Sequence, residues 1–301
     1  MKIREDYVFC GQRRRWAIFG DALRMIKFEH SLFALPFALA SLLVATEGRP
    51  TVKITFLIIA AMVTARNAAM SFNRIVDRHI DAKNPRTAER ELPTKKVSLT
   101  FAWIFCFVNM ALFVLVSATF NRLTLVLSPV ALIIIFGYSY TKHISHYSHI
   151  FLGLALGVAP VATWIAATGT VSLFSLILGL AVLFWVAGFD IIYATQDYHF
   201  DKEAGLKSLV VKLGIGPSLL CSRLVHLVAC VLLVLAGFTQ GLHWPYFLGC
   251  FAVAIMLFYE QILVKKDDLS RVNTAFFTLN GYMSVLYFVF VFLDTMFFLK
   301  N

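Results

Sequence analysis

Long apolar runs separated by short polar connections dominate the chain. Runs of membrane-spanning length fall near residues 31–48, 53–76, 98–120, 122–140 and 149–168, and again near 171–195, 217–239, 244–264 and 274–299. A bilayer core of about 30 Å takes roughly 20 apolar residues per helix. The pattern therefore predicts an all-α polytopic membrane protein with about nine transmembrane helices. Pro129, Gly137, Gly153, Gly157 and Pro160 interrupt the fourth and fifth runs and blur their boundaries. A basic amino-terminal arm, residues 1–30, precedes a single membrane domain, residues 31–301. Its long connections at 77–97 and 196–216 are where function is expected to gather.

Composition agrees. Of 301 residues, 59% are hydrophobic and 15% charged, against about 45–50% and 25% for soluble domains. The net charge of +10 first points to nucleic acid. That reading fails, because the basic residues fall in short clusters between apolar runs rather than on a polar face; the lipid bilayer is the expected surrounding, and no nucleic-acid partner is expected. Twenty-one of the 27 lysines and arginines lie on one side of the predicted topology and four on the other. The positive-inside rule then puts the amino terminus in the cytoplasm and the carboxyl terminus on the opposite side. The first run lacks a small-residue cleavage site and is expected to stay as an anchor. Five cysteines without a C-x-x-C pair indicate neither a disulfide framework nor a zinc site.

Two acidic motifs interrupt this background at matching depth. At the cytoplasmic end of the second predicted helix, Asn73, Asp77 and Asp81 form N-x-x-x-D-x-x-x-D. Spacings of four place them on one helical face. At the corresponding end of the sixth helix, Tyr193, Asp197 and Asp201 repeat the spacing. Two carboxylates about 5 Å apart repel by about 3 kcal/mol at an effective dielectric of about 20, so something must offset the charge. Either the nearby arginines pair with them or cations bind. Four converging carboxylates match two divalent cations, and oxygen-only ligands at helix ends suit Mg²⁺ rather than zinc. Repetition of the motif on a second helix favours the cations. Arg86, Arg90, Tyr138, Lys142 and Lys207 lie on the same side and supply the donors that a leaving diphosphate requires. The positive-inside bias alone would also place basic residues there.

Arg66 lies seven residues before Asn73, about 10 Å deeper in the bilayer. An arginine at that depth costs at least about 2.5 kcal/mol unless it meets a polar cavity or a partner. Asp190, seven before Asp197, sits at a comparable depth. Either the two pair with each other, or they hold an anionic, hydroxylated acceptor, with Arg66 on its carboxylate and Asp190 near its phenol. Asp190 and Tyr193 are the catalytic candidates. His143, His146 and His149 form H-x-x-H-x-x-H; without a neighbouring cysteine or carboxylate they read as an interfacial connection. The Phe-rich ninth helix reads as lipid-facing or tail-lining.

The motifs at 73–81 and 190–201 (D-x-x-Y-A-x-x-D-x-x-x-D), with R-T-x-x-R-x-L-P at 86–93 and Y-x-x-x-K at 138–142, carry a specific resemblance. Over nearly its whole length the chain resembles the UbiA superfamily of intramembrane prenyltransferases, and it looks most like the branch that prenylates 4-hydroxybenzoate or a close quinone precursor. The resemblance implies about nine helices in a horseshoe around a central cavity under a cytoplasmic cap, in the bacterial inner (plasma) membrane. It implies two Mg²⁺ ions bound through Asn73, Asp77, Asp81, Asp197 and Asp201 to a polyprenyl diphosphate held by Arg90, Tyr138 and Lys142. Arg66 matches the family's basic residue near the aromatic acid. Arg74 stands where many relatives place a further aspartate, so no third metal ligand is expected there.

The implied reaction, a step in ubiquinone biosynthesis, is Mg²⁺-assisted departure of diphosphate followed by electrophilic aromatic substitution ortho to the acceptor's hydroxyl. An apolar cavity is expected to exclude water, and its Phe, Trp and Tyr rings to face the allylic cation. A naphthoquinone-type acceptor, as in menaquinone biosynthesis, is the alternative within the family. From another class, an ion-coupled transporter would also carry Arg66 and Asp190 inside the membrane, but here the acidic groups gather at one face rather than the midplane. A membrane phosphotransferase for activated alcohols would need a D-G-x-x-A-R opening, which the chain lacks.

Overall fold

The computed structural model describes residues 20–21, 24–26 and 33–298. Most of the expected arm, residues 1–30, and the carboxyl end at 299–301 lie outside the described residues. The named elements of the described residues are helical: α1 (Leu35–Ala45), α2 (Val52–Asp81), α3 (Leu99–Ala118), α4 (Arg122–Ile144), α5 (Ser148–Thr168) and α6 (Leu173–Ala194). A 3₁₀ turn (Thr195–Asp197) and the short α7 (Tyr198–Glu203) and α8 (Leu209–Leu213) lead to α9 (Ile215–Thr239), α10 (Trp244–Leu263), a π-turn (Thr274–Leu279) and α11 (Asn280–Phe297). Among the described residues, eight helices are long and apolar enough to cross a membrane. The ninth expected span is the shorter apolar α1, eleven residues where a run of 31–48 was expected.

Capping residues set several boundaries. Thr51, Ser98, Asn121 and Ser172 precede α2, α3, α4 and α6, and each side-chain oxygen accepts a backbone N–H three residues on. Gly169, at φ 74°, closes α5 in the left-handed region that favours glycine.

Successive helices lie side by side, from α2 through α6 and on through α9, α10 and α11, and α11 returns to pack on α1. Among the membrane-length helices α6 is the most enclosed, with Phe174, Leu178, Val182, Trp185, Val186 and Phe189 all buried. Gly153 and Gly157 are contacts rather than interruptions. A Cβ on Gly153 would strike the Leu183 carbonyl, and one on Gly157 would lie 2.5 Å from the carbonyl oxygen of Gly179. Small residues in a membrane helix let two backbones approach this closely, which is why α5 runs unbroken against α6.

The 30 residues of α2 extend about 45 Å at 1.5 Å per residue, beyond a hydrocarbon core of about 30 Å. Asn73, Asp77 and Asp81 occupy its last turns. The end of α6 lies beside them, and the 82–97 connection reaches from one to the other through Asn84 and Arg86, which both bond Asp197.

Candidate active site

A cavity of about 570 Å³ lies between α2, α4, α5 and α6. Its deep part is apolar, with Ile58, Met62, Phe113, Leu127, Ala159 and Ala162 in the wall. Its other end, beneath the two motifs, is densely charged. Every residue predicted to bind metal, diphosphate or acceptor, or to act in catalysis, lines this one cavity: Arg66, Asn73, Asp77, Asp81, Arg86, Arg90, Tyr138, Lys142, Asp190, Tyr193, Asp197, Asp201 and Lys207. Phe and Tyr rings contribute to the wall, but among the described residues no tryptophan does; Trp164 and Trp185 are buried in the bundle core instead.

On α2 the four-residue spacing holds. Asn73 Nδ2 donates to Asp77 Oδ2 at 3.1 Å, and Lys142 Nζ, from the last turn of α4, lies 2.6 Å from the same oxygen. Arg90 Nη1 donates to Asp81 Oδ1 at 2.7 Å. On the α6 side the 3₁₀ turn intervenes between Tyr193 and Asp201, so this motif does not keep a single α-helical register. Arg86 grips it from across the cavity. Its Nε and Nη2 donate to the two oxygens of Asp197 at 2.9 and 2.5 Å, and Nη1 to the Tyr193 hydroxyl at 2.6 Å. Burial works against the Arg86 charge, yet the hydrogen bond to Asp197 and the neighbouring phenol hold its pKa above the ordinary guanidinium value. The Tyr193 ring stacks on Phe276 of the π-turn, with centroids 4.1 Å apart, so part of the ninth apolar run faces the site rather than lipid.

Lys207 ties the 196–216 connection to the end of α4: its backbone N–H donates to the Lys142 carbonyl at 2.8 Å and its Nζ to the Ile144 carbonyl at 3.4 Å.

Five aspartates and six lysines or arginines line the cavity, so its charged end is nearly balanced. Carboxylate repulsion alone therefore does not demand a metal, because arginine and lysine already offset much of it. Unshared oxygens carry the case for one. Asp77 Oδ1 and Asp81 Oδ2 are buried without a hydrogen-bond partner, and the Asp201 carboxylate faces no base in an ion pair among the described residues. Hard, oxygen-only donors of this kind fit Mg²⁺. Among the described residues no three Asp, Glu, His or Cys side chains gather closely enough to hold a metal by themselves, in keeping with an ion whose remaining ligands are water and phosphate.

Three residues were not foreseen in their roles. Asn84 donates to Asp197 Oδ1 at 3.1 Å while its own Oδ1 accepts the backbone N–H of Arg86 at 2.9 Å; the only signal was its place before Pro85. Arg74, noted as a departure from the resemblance, is buried in the cavity wall and donates from Nε to the Met25 carbonyl at 3.2 Å. His149, read as part of an interfacial connection, is buried in the first turn of α5, with Nδ1 2.6 Å from Asp190 Oδ2. The predicted choice for Asp190 between pairing with Arg66 and facing an acceptor is thereby altered. Asp190 is held by His149, and Arg66 lines the same cavity.

Comparison with known proteins places this geometry. The UbiA prenyltransferase family matches residues 34–286. A 4-hydroxybenzoate octaprenyltransferase of Actinobacillus pleuropneumoniae is 27% identical over 280 residues, covering 91% of this chain and 95% of that one. The apo structure of a UbiA homolog from Aeropyrum pernix K1 superposes with a TM-score of 0.80 at 32% identity, over 88% of this chain and 98% of that one. A UbiA homolog from Archaeoglobus fulgidus bound to DMAPP and Mg²⁺ shares the fold, with a TM-score of 0.71 at 21% identity over 92% and 99% of the two chains.

Proposed function

Since the chain belongs to the UbiA prenyltransferase family, we propose that it transfers a polyprenyl group from a polyprenyl diphosphate to 4-hydroxybenzoate, at the carbon ortho to the hydroxyl, in quinone biosynthesis. One observation carries this reading: both acidic motifs, their basic partners, Arg66 and Asp190 all line a single cavity whose deeper wall is apolar. Such a cavity takes a lipid tail at one end and a diphosphate at the other. Asn73, Asp77, Asp81, Asp197 and Asp201 would hold two Mg²⁺ ions, whose charge would offset that of the departing diphosphate. Arg86, Arg90, Tyr138, Lys142 and Lys207 donate to its oxygens. Arg66 takes the acceptor's carboxylate, and Asp190 its hydroxyl.

The balance of the reaction follows. The bond between the prenyl carbon and the diphosphate oxygen breaks, and its electron pair leaves with diphosphate. The ring carbon ortho to the hydroxyl supplies the pair for the new carbon–carbon bond while Asp190 takes the hydroxyl proton. Aromaticity returns when the ring carbon loses its proton to the released diphosphate and Asp190 gives its proton back to oxygen. Apolar walls keep water from the allylic cation.

The asymmetry of basic residues and the bacterial origin of the curated relative support a site at the cytoplasmic face of the bacterial inner membrane. The test is purified protein with Mg²⁺, a labelled polyprenyl diphosphate and a panel of aromatic acids. Product from 4-hydroxybenzoate is expected. Product only from a naphthoquinone-type acid moves the acceptor to menaquinone biosynthesis, and a complete lack of diphosphate release defeats the enzyme reading.

A further inference from the structure

Asp190 differs from the other paired carboxylates of the cavity in the partner it has. Asp77, Asp81 and Asp197 each face a lysine or arginine, and His143 Nε2 lies a further 3.9 Å from Asp77 Oδ1, whereas no lysine or arginine pairs with Asp190 among the described residues. Asp190 faces an imidazole: His149 Nδ1 lies 2.6 Å from Oδ2. Both side chains line the cavity, and Asp190, at 20% exposure, is the more open of the two, against 4% for His149. Asp190 Oδ1 makes no hydrogen bond among the described residues. His149 Nε2 is buried and also lacks a partner, which leaves the ring one polar contact, the one to Asp190. Its tautomer follows from that contact: Nδ1 carries the proton and donates it to the carboxylate.

A carboxylate gripped by a permanent cation is a poor base, because the cation favours its charged form. One held by an imidazole N–H is oriented by a hydrogen bond rather than by a permanent cation, which is the division of labour between base and orienting group seen where a third residue fixes the acting one. We propose that His149 is a positioning residue: its Nδ1–H fixes Oδ2 of Asp190 and leaves Oδ1 to take the hydroxyl proton of the acceptor as the ring attacks the prenyl carbon. The proton moves from the acceptor's oxygen to Asp190 Oδ1 and returns when the ring loses its own proton to diphosphate, so His149 gains and loses nothing and acts only through Asp190. The inference rests on the hydroxybenzoate reading given above and names the group that makes Asp190 effective in it.

The test compares two acceptors, 4-hydroxybenzoate and a ring-fluorinated derivative with both carbons ortho to the hydroxyl left free. Fluorine acidifies the phenol, so the derivative needs less help from a base. His149→Leu should lower kcat for 4-hydroxybenzoate by at least about tenfold, leave KM for the prenyl diphosphate unchanged, and lose much less on the fluorinated acceptor. His149→Asn, whose amide nitrogen falls near the position of Nδ1, should recover most of the loss. His149→Gln, whose amide reaches the position of Nε2 instead, should behave like His149→Leu and serves in its place if the leucine variant fails to fold. An equal loss on both acceptors, or no loss on either, overturns the proposal while the hydroxybenzoate reading stands. Wild-type protein that cleaves the diphosphate but prenylates neither phenol overturns both.

Discussion

On α2, Asn73, Asp77 and Asp81 ride one uninterrupted helix, whereas on the α6 side the same spacing runs through a 3₁₀ turn that leaves Asp197 at φ −97° and ψ 5°. The first motif is met by single contacts from two places, Lys142 of α4 and Arg90 of the following connection. The second is met by a fork: Arg86 and Asn84 both reach Asp197, and both come from the connection that leaves the first motif. The two copies of D-x-x-x-D are therefore not interchangeable. A rigid helix presents one, and the loop behind that helix organises the other.

The largest test of this contrast removes a carboxylate from each side. Asp77→Ala and Asp197→Ala should each lower transfer in membranes supplied with Mg²⁺, prenyl diphosphate and acceptor by on the order of 1,000-fold or more. Retained activity in either variant would remove that motif from the metal and diphosphate site. Next comes the fork. Lysine cannot reproduce a guanidinium that bonds two carboxylate oxygens and a phenol at once, so Arg86→Lys should cost on the order of 100-fold in kcat/KM for the diphosphate. Arg90→Lys, which replaces one contact at 2.7 Å, should cost on the order of tenfold. Equal losses from the two substitutions would erase the difference between fork and single contact.

Why one motif was readable and the other only half so follows from range. Asn73, Asp77 and Asp81 could be placed on one face because an apolar helix ran straight into them. The 3₁₀ turn at Thr195–Asp197 is three residues long and has no periodicity to announce it. The run of helices was legible because membrane spans depend on length and apolarity. The roles of Gly153 and Gly157 were not, because a glycine that breaks a hydrophobic pattern looks the same whether it loosens a helix or receives a neighbour's backbone. His149 was misread for a related reason: its partner lies 41 residues away, and a histidine is assigned by what it touches. Asn84 shows the same limit, with 113 residues between it and Asp197.

Asp201 gives a subtler contrast with Asp81. Asp81 is paired with Arg90, whereas Asp201 faces no base in an ion pair among the described residues, so replacing Asp201 strands none of them. Asp201→Asn should raise the Mg²⁺ concentration for half-maximal transfer by about tenfold without loss of folded protein in detergent. Asp81→Asn should also change the response to diphosphate, because it releases Arg90. If Mg²⁺ dependence is unchanged in Asp201→Asn, the second motif contributes to the metal through Asp197 alone.

The smallest expected effect asks whether the loop truly organises the second motif. Asn84 Nδ2 bonds Asp197, and its Oδ1 bonds the backbone N–H of Arg86, so a single side chain fixes both halves of the fork. In Asn84→Ala the ion pair can still form, but the loop backbone that aims it has lost one acceptor and the carboxylate one donor. Two part-buried hydrogen bonds at roughly 0.5–1.5 kcal/mol each predict a loss of about tenfold in kcat/KM. In Arg86→Lys the fork is already damaged, and adding Asn84→Ala should then cost clearly less than it does alone, because residues of one network do not contribute independently. A double variant whose losses simply add would show that Asn84 acts on Asp197 directly and that the loop delivers Arg86 without its help.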